Sequence, residues 1–225
     1  MIRFDQVCKR YPGGHDALSE VSFALRAGEL AFLTGHSGAG KSSLLRLIML
    51  LERPTQGQIL INGRGLGRLH RSQIPHYRRN IGVVFQNHHL LLDRSIHDNV
   101  ALPLRVSGYR ASDVARRVRA ALDKVGLLAR EHSKPLELSS GEQQRVGIAR
   151  AVVHTPRILL ADEPTGNLDP ELSMEIMKLF SDFSDIGVTV LIATHDISLI
   201  EAMGRRQLQL RNGRLVAGSD ADAAD

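Results

Sequence analysis

A glycine-rich turn between an apolar segment and a helical one limits the possible folds of this chain more than any other feature. Residues Leu30–Thr34 have the composition of a buried strand, and the turn Gly35-His-Ser-Gly-Ala-Gly40 follows directly. A helical pattern then runs over Lys41–Leu51 and ends before Pro54. Because unpaired N–H groups at a helix N-terminus bind anions, this strand, turn and helix predict an α/β fold that holds phosphate.

The turn supplies several groups that suit a nucleoside triphosphate. Glycines at 35, 38 and 40 let the backbone come close to the phosphates and adopt dihedral angles that side chains disfavour. The ammonium group of Lys41 is predicted to neutralise the β- and γ-phosphates, and the Ser42 hydroxyl to ligate Mg²⁺. The predicted phosphate-binding residues are Gly35, His36, Ser37, Gly38, Ala39, Gly40, Lys41, Ser42 and Ser43.

Two acidic residues follow a second apolar strand. The segment Ile158–Ala161 leads into Asp162 and Glu163. A carboxylate at such a strand end lies where the metal of a phosphate-binding loop is held, so Asp162 is a predicted Mg²⁺ ligand. Glu163 points in a different direction and is predicted to polarise the attacking water. Two acids at the end of a strand are common by themselves, and this interpretation depends on the loop upstream.

Polar residues also follow two other predicted strands. Gln86 comes directly after Ile81–Phe85, and His195 directly after Val190–Thr194. Ligands of open α/β sheets collect at the carboxyl ends of the strands, which favours both residues as part of the site. Gln86 is a predicted metal ligand or water-positioning residue, and His195 is predicted to contact the γ-phosphate and hold the water in line. The alternative is that both are solvated strand-end residues.

Tyr11 precedes a Pro-Gly-Gly turn near the N-terminus. Its ring is a candidate for stacking on adenine, and base–aromatic stacking is generally worth about 1–3 kcal/mol. Stacking selects no particular base, so the choice between ATP and GTP stays open. The alternative is an aromatic residue on a surface turn that touches no ligand.

The sequence changes to a helical pattern between about Leu90 and Val153. Ser112 is expected to cap a helix whose apolar residues recur every third or fourth position as far as Gly126. The strand pattern returns at Ile158. A helical segment is therefore expected to interrupt an α/β core.

A second candidate phosphate site lies at Leu138–Gln144, before a helical pattern over Arg145–Val153. Ser139 offers a hydroxyl, and Gly141 allows close approach at a helix N-terminus. One chain already has a loop for its own nucleotide, so this second site is expected to act on ATP held by another copy. Two copies arranged head to tail would bury two ATP molecules in a twofold homodimer. An ordinary serine-capped helix is the alternative.

The charge, cysteine content and apolar stretches of the chain indicate its cellular compartment and the kinds of partner that it can bind. Its net charge is +5, and basic residues are spread from Arg64 to Arg119, which disfavours nucleic acid as a partner. The single cysteine, Cys8, fits a reducing compartment. The stretch Leu44–Leu51 is too short to span a membrane, and the N-terminus lacks a signal-peptide pattern. We therefore expect a cytoplasmic protein that meets the membrane only through a partner.

Together, the glycine loop, the Leu138–Gln144 segment and the strand that ends in Asp162 and Glu163 resemble the nucleotide-binding subunits of ABC transporters over nearly the whole chain. The resemblance implies an ATPase that uses ATP and Mg²⁺, and it adds Glu142 and Asp169 to the nucleotide-binding residues. The family pattern at the second site is Leu-Ser-Gly-Gly. Here Ser140 replaces the first glycine, which leaves the tightness of that phosphate contact open.

The same resemblance implies a fold and a division of the chain. The expected fold is of the α/β class: a P-loop NTPase with a RecA-like core, an antiparallel β subdomain and an inserted helical subdomain. Residues 1–225 would form one ATP-binding domain. Its core would cover about 1–87 and 156–217, its helical subdomain about 88–155, and its acidic tail 218–225.

Within the family, the stretches Phe85–Leu104 and Ala161–Asp169 are similar to the cell-division branch. That resemblance implies an FtsX-like integral membrane partner at the cytoplasmic face of the bacterial inner membrane. ATP-driven dimerisation would then signal through this partner to cell-wall hydrolases. Three alternatives remain: the ATPase of a lipoprotein-release or small-molecule exporter, a soluble protein that acts on nucleic acid, and a weak ATPase whose dimer is only a scaffold.

Overall fold

The computed structural model describes residues 1–166 and 168–218, and the described part contains two sheets and seven α-helices. The strands are β1 (Ile2–Arg10), β2 (Asp16–Leu25), β3 (Leu30–Thr34), β4 (Gln56–Ile61), β5 (Arg64–Gly65), β6 (Ile81–Val84), β7 (Ile158–Asp162), β8 (Thr189–Ala193), β9 (Arg206–Arg211) and β10 (Arg214–Ala217). The helices are α1 (Lys41–Ile48), α2 (Ile74–Arg78), α3 (Ile96–Val106), α4 (Ala111–Lys124), α5 (Ser140–Val152), α6 (Pro170–Asp185) and α7 (Ile197–Met203). Residues 219–225 of the expected acidic tail lie outside the described residues.

The strands form one antiparallel sheet and one mainly parallel sheet. The antiparallel sheet has the order β2-β1-β4-β5, and the larger sheet has the order β10-β9-β3-β8-β7-β6. In the larger sheet β3 pairs in parallel with β8 and β9, and β7 pairs in parallel with β6 and β8. The carboxyl ends of β3, β6, β7 and β8 therefore meet along one edge, where ligands of such sheets bind.

The parallel sheet separates two apolar cores. Phe32 packs into a core with α6, whereas its neighbour Leu33 packs into the opposite core with α1. Successive residues of a strand point to opposite faces, so a strand that is covered on both faces has apolar residues at nearly every position. This explains why all five residues of β3 and of β8 are buried.

Helices α3, α4 and α5 lie between β6 and β7 along the chain and pack against one another. The apolar side of α4 is buried as its spacing predicted, at Val114, Val118 and Leu122. The prediction that Ser112 caps this helix was wrong. The cap position is held by Arg110, whose backbone is extended and whose side chain makes no capping bond, and Ser112 lies inside the first turn.

Other element boundaries also differ from the predictions. Helix α1 ends at Ile48 rather than at Leu51, because Leu50 has a φ of 53°, a left-handed conformation that cannot continue a helix. Helix α5 begins at Ser140 rather than at Arg145, because Ser139 caps it. Strands β6 and β8 each end one residue earlier than predicted.

Candidate active site

The glycine loop between β3 and α1 is shaped by backbone atoms that leave no room for side chains. Gly35 has a φ of 146°, and a Cβ atom there would lie 2.4 Å from the Leu210 carbonyl oxygen. Gly40 has a φ of 109°, and its Cβ would lie 2.5 Å from the Ala17 carbonyl oxygen. Gly38 has a φ of 79° with open space around it, so its conformation alone favours glycine.

The loop leads into the N-terminus of α1, which begins at Lys41. In the described structure, the first turn of this helix has no acidic side chain. Its cap residue is Gly40, which has no side chain to bond the first N–H groups. These N–H groups are therefore available to an anion, and the positive end of the helix dipole favours it.

The two polar side chains that follow the loop already contact other parts of the site. The Lys41 ammonium donates to the carbonyl oxygens of Gly35, at 2.6 Å, and His36, at 3.3 Å. The Ser42 hydroxyl donates to the Asp162 carboxylate at 3.1 Å. The ends of β3 and β7 thus bring the predicted phosphate and metal ligands within hydrogen-bond distance of each other.

The Asp162 carboxylate is partly buried at the end of β7. Burial raises the pKa of Asp162 above its usual value, and the hydrogen bond from Ser42 opposes this shift only in part. The ionised form is therefore poorly compensated by its protein surroundings. A cation at this position would restore the balance.

Glu163 adopts an unusual backbone conformation and contacts two of the predicted residues. Its φ is 47°, in the left-handed region that few residues with a side chain adopt. One carboxylate oxygen, Oε1, lies 2.9 Å from His195 Nδ1 and 3.9 Å from the Lys41 ammonium. The Glu163 backbone N–H donates to the Ala193 carbonyl, which fixes this turn against the end of β8.

Most of the predicted site residues line a single cavity of about 570 Å³ at the carboxyl edge of the parallel sheet. The predicted residues on its wall are Tyr11, His36, Ser37, Gly38, Ala39, Gly40, Lys41, Ser42, Ser43, Gln86, Asp162, Glu163 and His195. The Tyr11 hydroxyl donates to Glu52 and lies 3.2 Å from the Ser43 hydroxyl, so its ring is held beside the start of α1. The cavity wall therefore includes both an aromatic side chain and two carboxylates.

The second predicted phosphate site does not line this cavity. Ser139 caps α5: its hydroxyl accepts the Glu142 N–H at 3.3 Å, and its own N–H donates to the Glu142 carboxylate at 2.8 Å. The bond from the Ser139 backbone also lowers the pKa of Glu142. Gly141 is buried against Leu172, and a Cβ atom there would lie 2.1 Å from a Leu172 methyl carbon.

Two further residues of interest, Ser140 and Asp169, lie at the starts of α5 and α6. Ser140 is exposed and is the first residue of α5, a position that needs no glycine. Asp169 caps α6, where its carboxylate accepts the Leu172 N–H at 2.9 Å. The structure thus groups Ser139, Gly141, Glu142 and Asp169 near the starts of α5 and α6 rather than with the glycine loop. The neighbouring Asn167 lies outside the described residues.

The structure also adds residues that the sequence reasoning missed. His15, just before β2, and Ala17, in β2, line the cavity. In the third turn of α5, Arg150 donates to the carbonyl oxygens of His88 and His89, just after Gln86. A cavity position on β2 gives no sequence signal, and an arginine in a helix resembles any solvated basic residue.

A protein-family model described as ABC transporter matches residues 18–166, about two thirds of the chain. The chain belongs to the ABC transporter family. The strand-turn-helix start of the site and the two carboxylates of β7 and its following turn all fall within the matched residues. The α/β P-loop fold predicted from the sequence is confirmed by the solved ABC cassettes that the chain resembles.

Curated relatives place the chain within the family more finely. It is 57% identical over 218 residues to the cell division ATP-binding protein FtsE of Escherichia coli strain K12, covering 97% of this chain and 98% of the relative. It is 43% identical over 216 residues to FtsE of Bacillus subtilis strain 168, covering 96% and 95%. The resemblance to the cell-division branch is thereby confirmed, and these relatives support a role in cell division.

A solved ABC structure agrees with the enzymatic prediction. A dimeric, post-hydrolysis structure of the ATP-binding cassette MJ0796 bound to ADP and Pi is 34% identical, with a TM-score of 0.87 and coverage of 96% of this chain and 97% of that one. Together with the family match, this similarity identifies the chain as an ABC-type ATPase. Across residues 1–166 and 168–218, no helix combines the length and apolar character needed to cross a membrane.

Proposed function

We propose that two copies of this ABC ATPase close around two ATP molecules, each held by the glycine loop of one copy and covered by the start of α5 of the other. One observation carries this proposal: the exposed Ser139 turn lies apart from the cavity of its own chain and yet has the features of a phosphate site. The dimeric form of the related MJ0796 cassette supports it.

Mg²⁺ fits the residues present at the end of β7. Magnesium prefers oxygen ligands, and the Ser42 hydroxyl and the Asp162 carboxylate lie 3.1 Å apart on the cavity wall beside the Gln86 amide. Burial raises the pKa of Asp162, so a bound cation would stabilise the ionised carboxylate. Bound Mg²⁺ would neutralise negative charge on the phosphates.

In the proposed reaction the residues of one chain bind the triphosphate and position the water. The Lys41 ammonium exchanges its bonds to the Gly35 and His36 carbonyls for bonds to phosphate oxygens. Glu163 accepts a proton from the attacking water, and His195, 2.9 Å from that carboxylate, orients it and contacts the γ-phosphate. Gln86 follows the neighbouring strand β6 and helps to hold the water, and the Tyr11 ring stacks on the base.

The second copy supplies the remaining contacts. Its Ser139, Gly141 and Glu142 close over the γ-phosphate, and its Asp169 lies beside the same interface. Hydrolysis removes the γ-phosphate, so the closed dimer loses the contacts that ATP provides. The difference in affinity of ATP and ADP for the closed state is then the source of the motion.

An apolar groove of about 600 Å³ beside Gln86 is the proposed docking site for an FtsX-like integral membrane protein. Phe85, Leu102 and Val106 line it, and Val106 is 71% exposed. The nearby Leu91 and Leu92 are 42% and 52% exposed, which extends the apolar surface. Through this partner the ATPase cycle would control cell-wall hydrolysis from the cytoplasmic face of the bacterial inner membrane.

Replacing Glu163 by Gln tests the dimer. We expect Glu163→Gln to bind ATP normally, to lose at least about 100-fold in turnover because the general base is gone, and to accumulate as a closed dimer. Adding Ser139→Phe to this variant should leave ATP bound to a monomer, because the bulky ring prevents the second copy from closing. Light scattering after size-exclusion chromatography in Mg-ATP, with calorimetry for binding, measures both effects.

Ser112→Phe in the Glu163→Gln background is the matched control, since Ser112 is also exposed near the start of a helix. It should still dimerise. A monomer for Glu163→Gln at saturating ATP, or a dimer that persists in the Ser139→Phe variant, would contradict the proposed arrangement.

A further inference from the structure

The excess of basic over acidic residues in the chain arises in one stretch. Between residues 53 and 92 there are six arginines and neither aspartate nor glutamate. The rest of the chain carries 23 basic and 24 acidic side chains. The net charge of +5 therefore originates entirely in this stretch.

Two of these six arginines are used to hold the fold together. Arg53 donates to the carbonyl oxygens of Gly67 and Leu69, and Arg78 donates to carbonyl oxygens at the end of α1. The other four are exposed, and no carboxylate of the described chain lies within ion-pair distance of them. They are Arg64, Arg68, Arg71 and Arg79, and we refer to them as the arginine face.

Four exposed arginines elsewhere in the described chain are ion-paired with carboxylates, which the arginine face is not. Arg116 pairs with Asp113, Arg119 with Glu131, Arg205 with Asp185 and Arg214 with Glu20. Within the described structure, the side chains of the arginine face make one hydrogen bond to another side chain. It is a long contact of 3.5 Å between Arg79 and His76. The arginine face thus presents guanidinium groups that no protein anion neutralises.

The arginine face lies beside the groove proposed for the membrane partner. Arg64 is the first residue of β5, and the other three belong to the excursion between β5 and β6, which contains the short helix α2. Arg79 itself lines the groove together with Pro75 of α2. The excursion also contributes to a separate cavity of about 610 Å³, which His76 lines together with Arg64 of β5.

We propose that the arginine face binds anionic phospholipid headgroups of the membrane in which the partner sits. This inference rests on the proposed function, because a membrane protein in the groove would bring the neighbouring excursion towards the bilayer. Guanidinium groups pair with phosphate through two parallel hydrogen bonds, and they lose less hydration than ammonium groups do. The anionic leaflet attracts each arginine near it, by about fivefold in affinity per residue.

Vesicle binding by the full chain without its partner tests the lipid contact. Vesicles of phosphatidylglycerol and phosphatidylcholine should sediment the protein in low salt, whereas vesicles of phosphatidylcholine alone should not. Replacing all four residues by Gln (R64Q, R68Q, R71Q and R79Q) should weaken this binding at least tenfold. Raising the salt to about 0.5 M should abolish it, because screening then acts within a few ångströms.

The matched control removes the same charge elsewhere, through R116Q, R119Q, R205Q and R214Q. It should bind the vesicles as the unchanged protein does. Equal weakening in both variants would show an effect of net charge alone and would overturn the proposal. So would tighter binding to a nucleic acid duplex than to the anionic vesicles.

Two further measurements separate this inference from the proposed function. ATPase activity in solution should be equal in all three proteins, because none of the replaced residues lines the nucleotide cavity. Capture of the membrane partner in neutral detergent should be equal for the unchanged protein and for a variant that keeps Arg79 (R64Q, R68Q and R71Q), because Arg79 is the only one of the four that lines the groove in the described chain. If this three-residue variant fails to capture the partner although the unchanged protein does, the arginines bind protein rather than lipid and the lipid contact is wrong. If no variant captures a partner, the proposed docking fails while the vesicle result stands.

Discussion

The charge of the Asp162 carboxylate is poorly balanced by the protein around it. Burial at the end of β7 raises its pKa, and Ser42 is its only hydrogen-bond donor in the described chain. The nearby Lys41 ammonium is directed to backbone carbonyls of the glycine loop instead. A site built to receive a cation and a polyanion is therefore expected to cost stability while it is empty.

Asp162→Asn is predicted to stabilise the nucleotide-free protein and to weaken binding of Mg-ATP. The raised pKa means that the folded state holds its proton more tightly than the unfolded state, so the native carboxylate loses stability as the pH rises above the usual value near 3.8. Asparagine carries no charge and removes that loss. We expect the variant to gain about 0.5–2 kcal/mol in free energy of unfolding at pH 8, and less as the pH falls towards 4. Urea unfolding at both pH values measures it.

Asp182→Asn is the control for this substitution, because Asp182 is an exposed aspartate of α6. It should change neither stability nor nucleotide binding appreciably. A loss of stability in Asp162→Asn, or a gain that grows as the pH falls, would show that the carboxylate is stabilising in the empty protein.

At the scale of residues, the sequence predicted which side chains meet but not how they bond. Asp162, Glu163, Gln86 and His195 could be predicted because parallel strands end at one edge, and any polar residue there has the others as neighbours. The 2.9 Å contact between Glu163 and His195 could not, because it depends on the left-handed backbone of Glu163. A sequence pattern does not encode such a local conformation at a residue with a side chain.

Among the secondary-structure elements, α5 connects two parts of the proposed site, the Ser139 turn and the segment that follows Gln86. Its N-terminus carries the Ser139 turn, and its third turn carries Arg150, which donates to the carbonyls of His88 and His89. Burial lowers the pKa of Arg150, yet the guanidinium remains charged. Two hydrogen bonds thus join α5 to the segment that follows Gln86, and we expect a movement of one to be transmitted to the other.

Arg150→Met is predicted to reduce ATP turnover while leaving ATP binding nearly unchanged. Methionine fills much of the same volume but leaves two carbonyls without their donor, which should cost about 1–3 kcal/mol of stability. ATP binding to the single chain should change less than about threefold, since Arg150 does not line the nucleotide cavity. Turnover should fall at least tenfold and its dependence on ATP concentration should lose any sigmoidal character, as steady-state kinetics below the unfolding temperature would show.

Two further variants serve as controls for this prediction. Arg150→Lys should retain part of the turnover, because an ammonium group still donates to one carbonyl. Arg116→Met, on the exposed side of α4, should behave like the unchanged protein. Normal turnover in Arg150→Met, despite the stability loss, would mean that the link between α5 and the Gln86 segment has no role in the cycle.

The start of α5 could have been predicted more accurately from the sequence than it was. Ser139 and Glu142 have the spacing of a capping box, and the structure contains both of its hydrogen bonds. The early end of α1 has no comparable signal, because Leu50 is an ordinary helix former by composition. Tertiary packing overrides propensity there.

For the molecule as a whole, the proposed functions belong to separate parts of the surface, which the parallel sheet holds in place. The carboxyl edge of the sheet bears the nucleotide cavity, the helices between β6 and β7 present the Ser139 turn, and the groove lies where these helices meet the end of β6. The order of motifs predicted the first two faces. The groove combines residues from 75 to 154, so its shape needed the fold.

Val106→Arg is predicted to disconnect the ATPase from its membrane partner without altering the enzyme. Val106 is 71% exposed on α3 and lines the groove beside Arg78 and Arg79, so a further guanidinium adds bulk and like charge where an apolar partner surface would dock. Capture of the membrane partner in detergent should fall at least tenfold, while ATPase activity and thermal stability in solution should not change. Val216→Arg is the matched control, since Val216 is 53% exposed on β10 and lines none of these cavities in the described chain. Undiminished capture by Val106→Arg, or equal losses in both variants, would exclude the groove as the docking site.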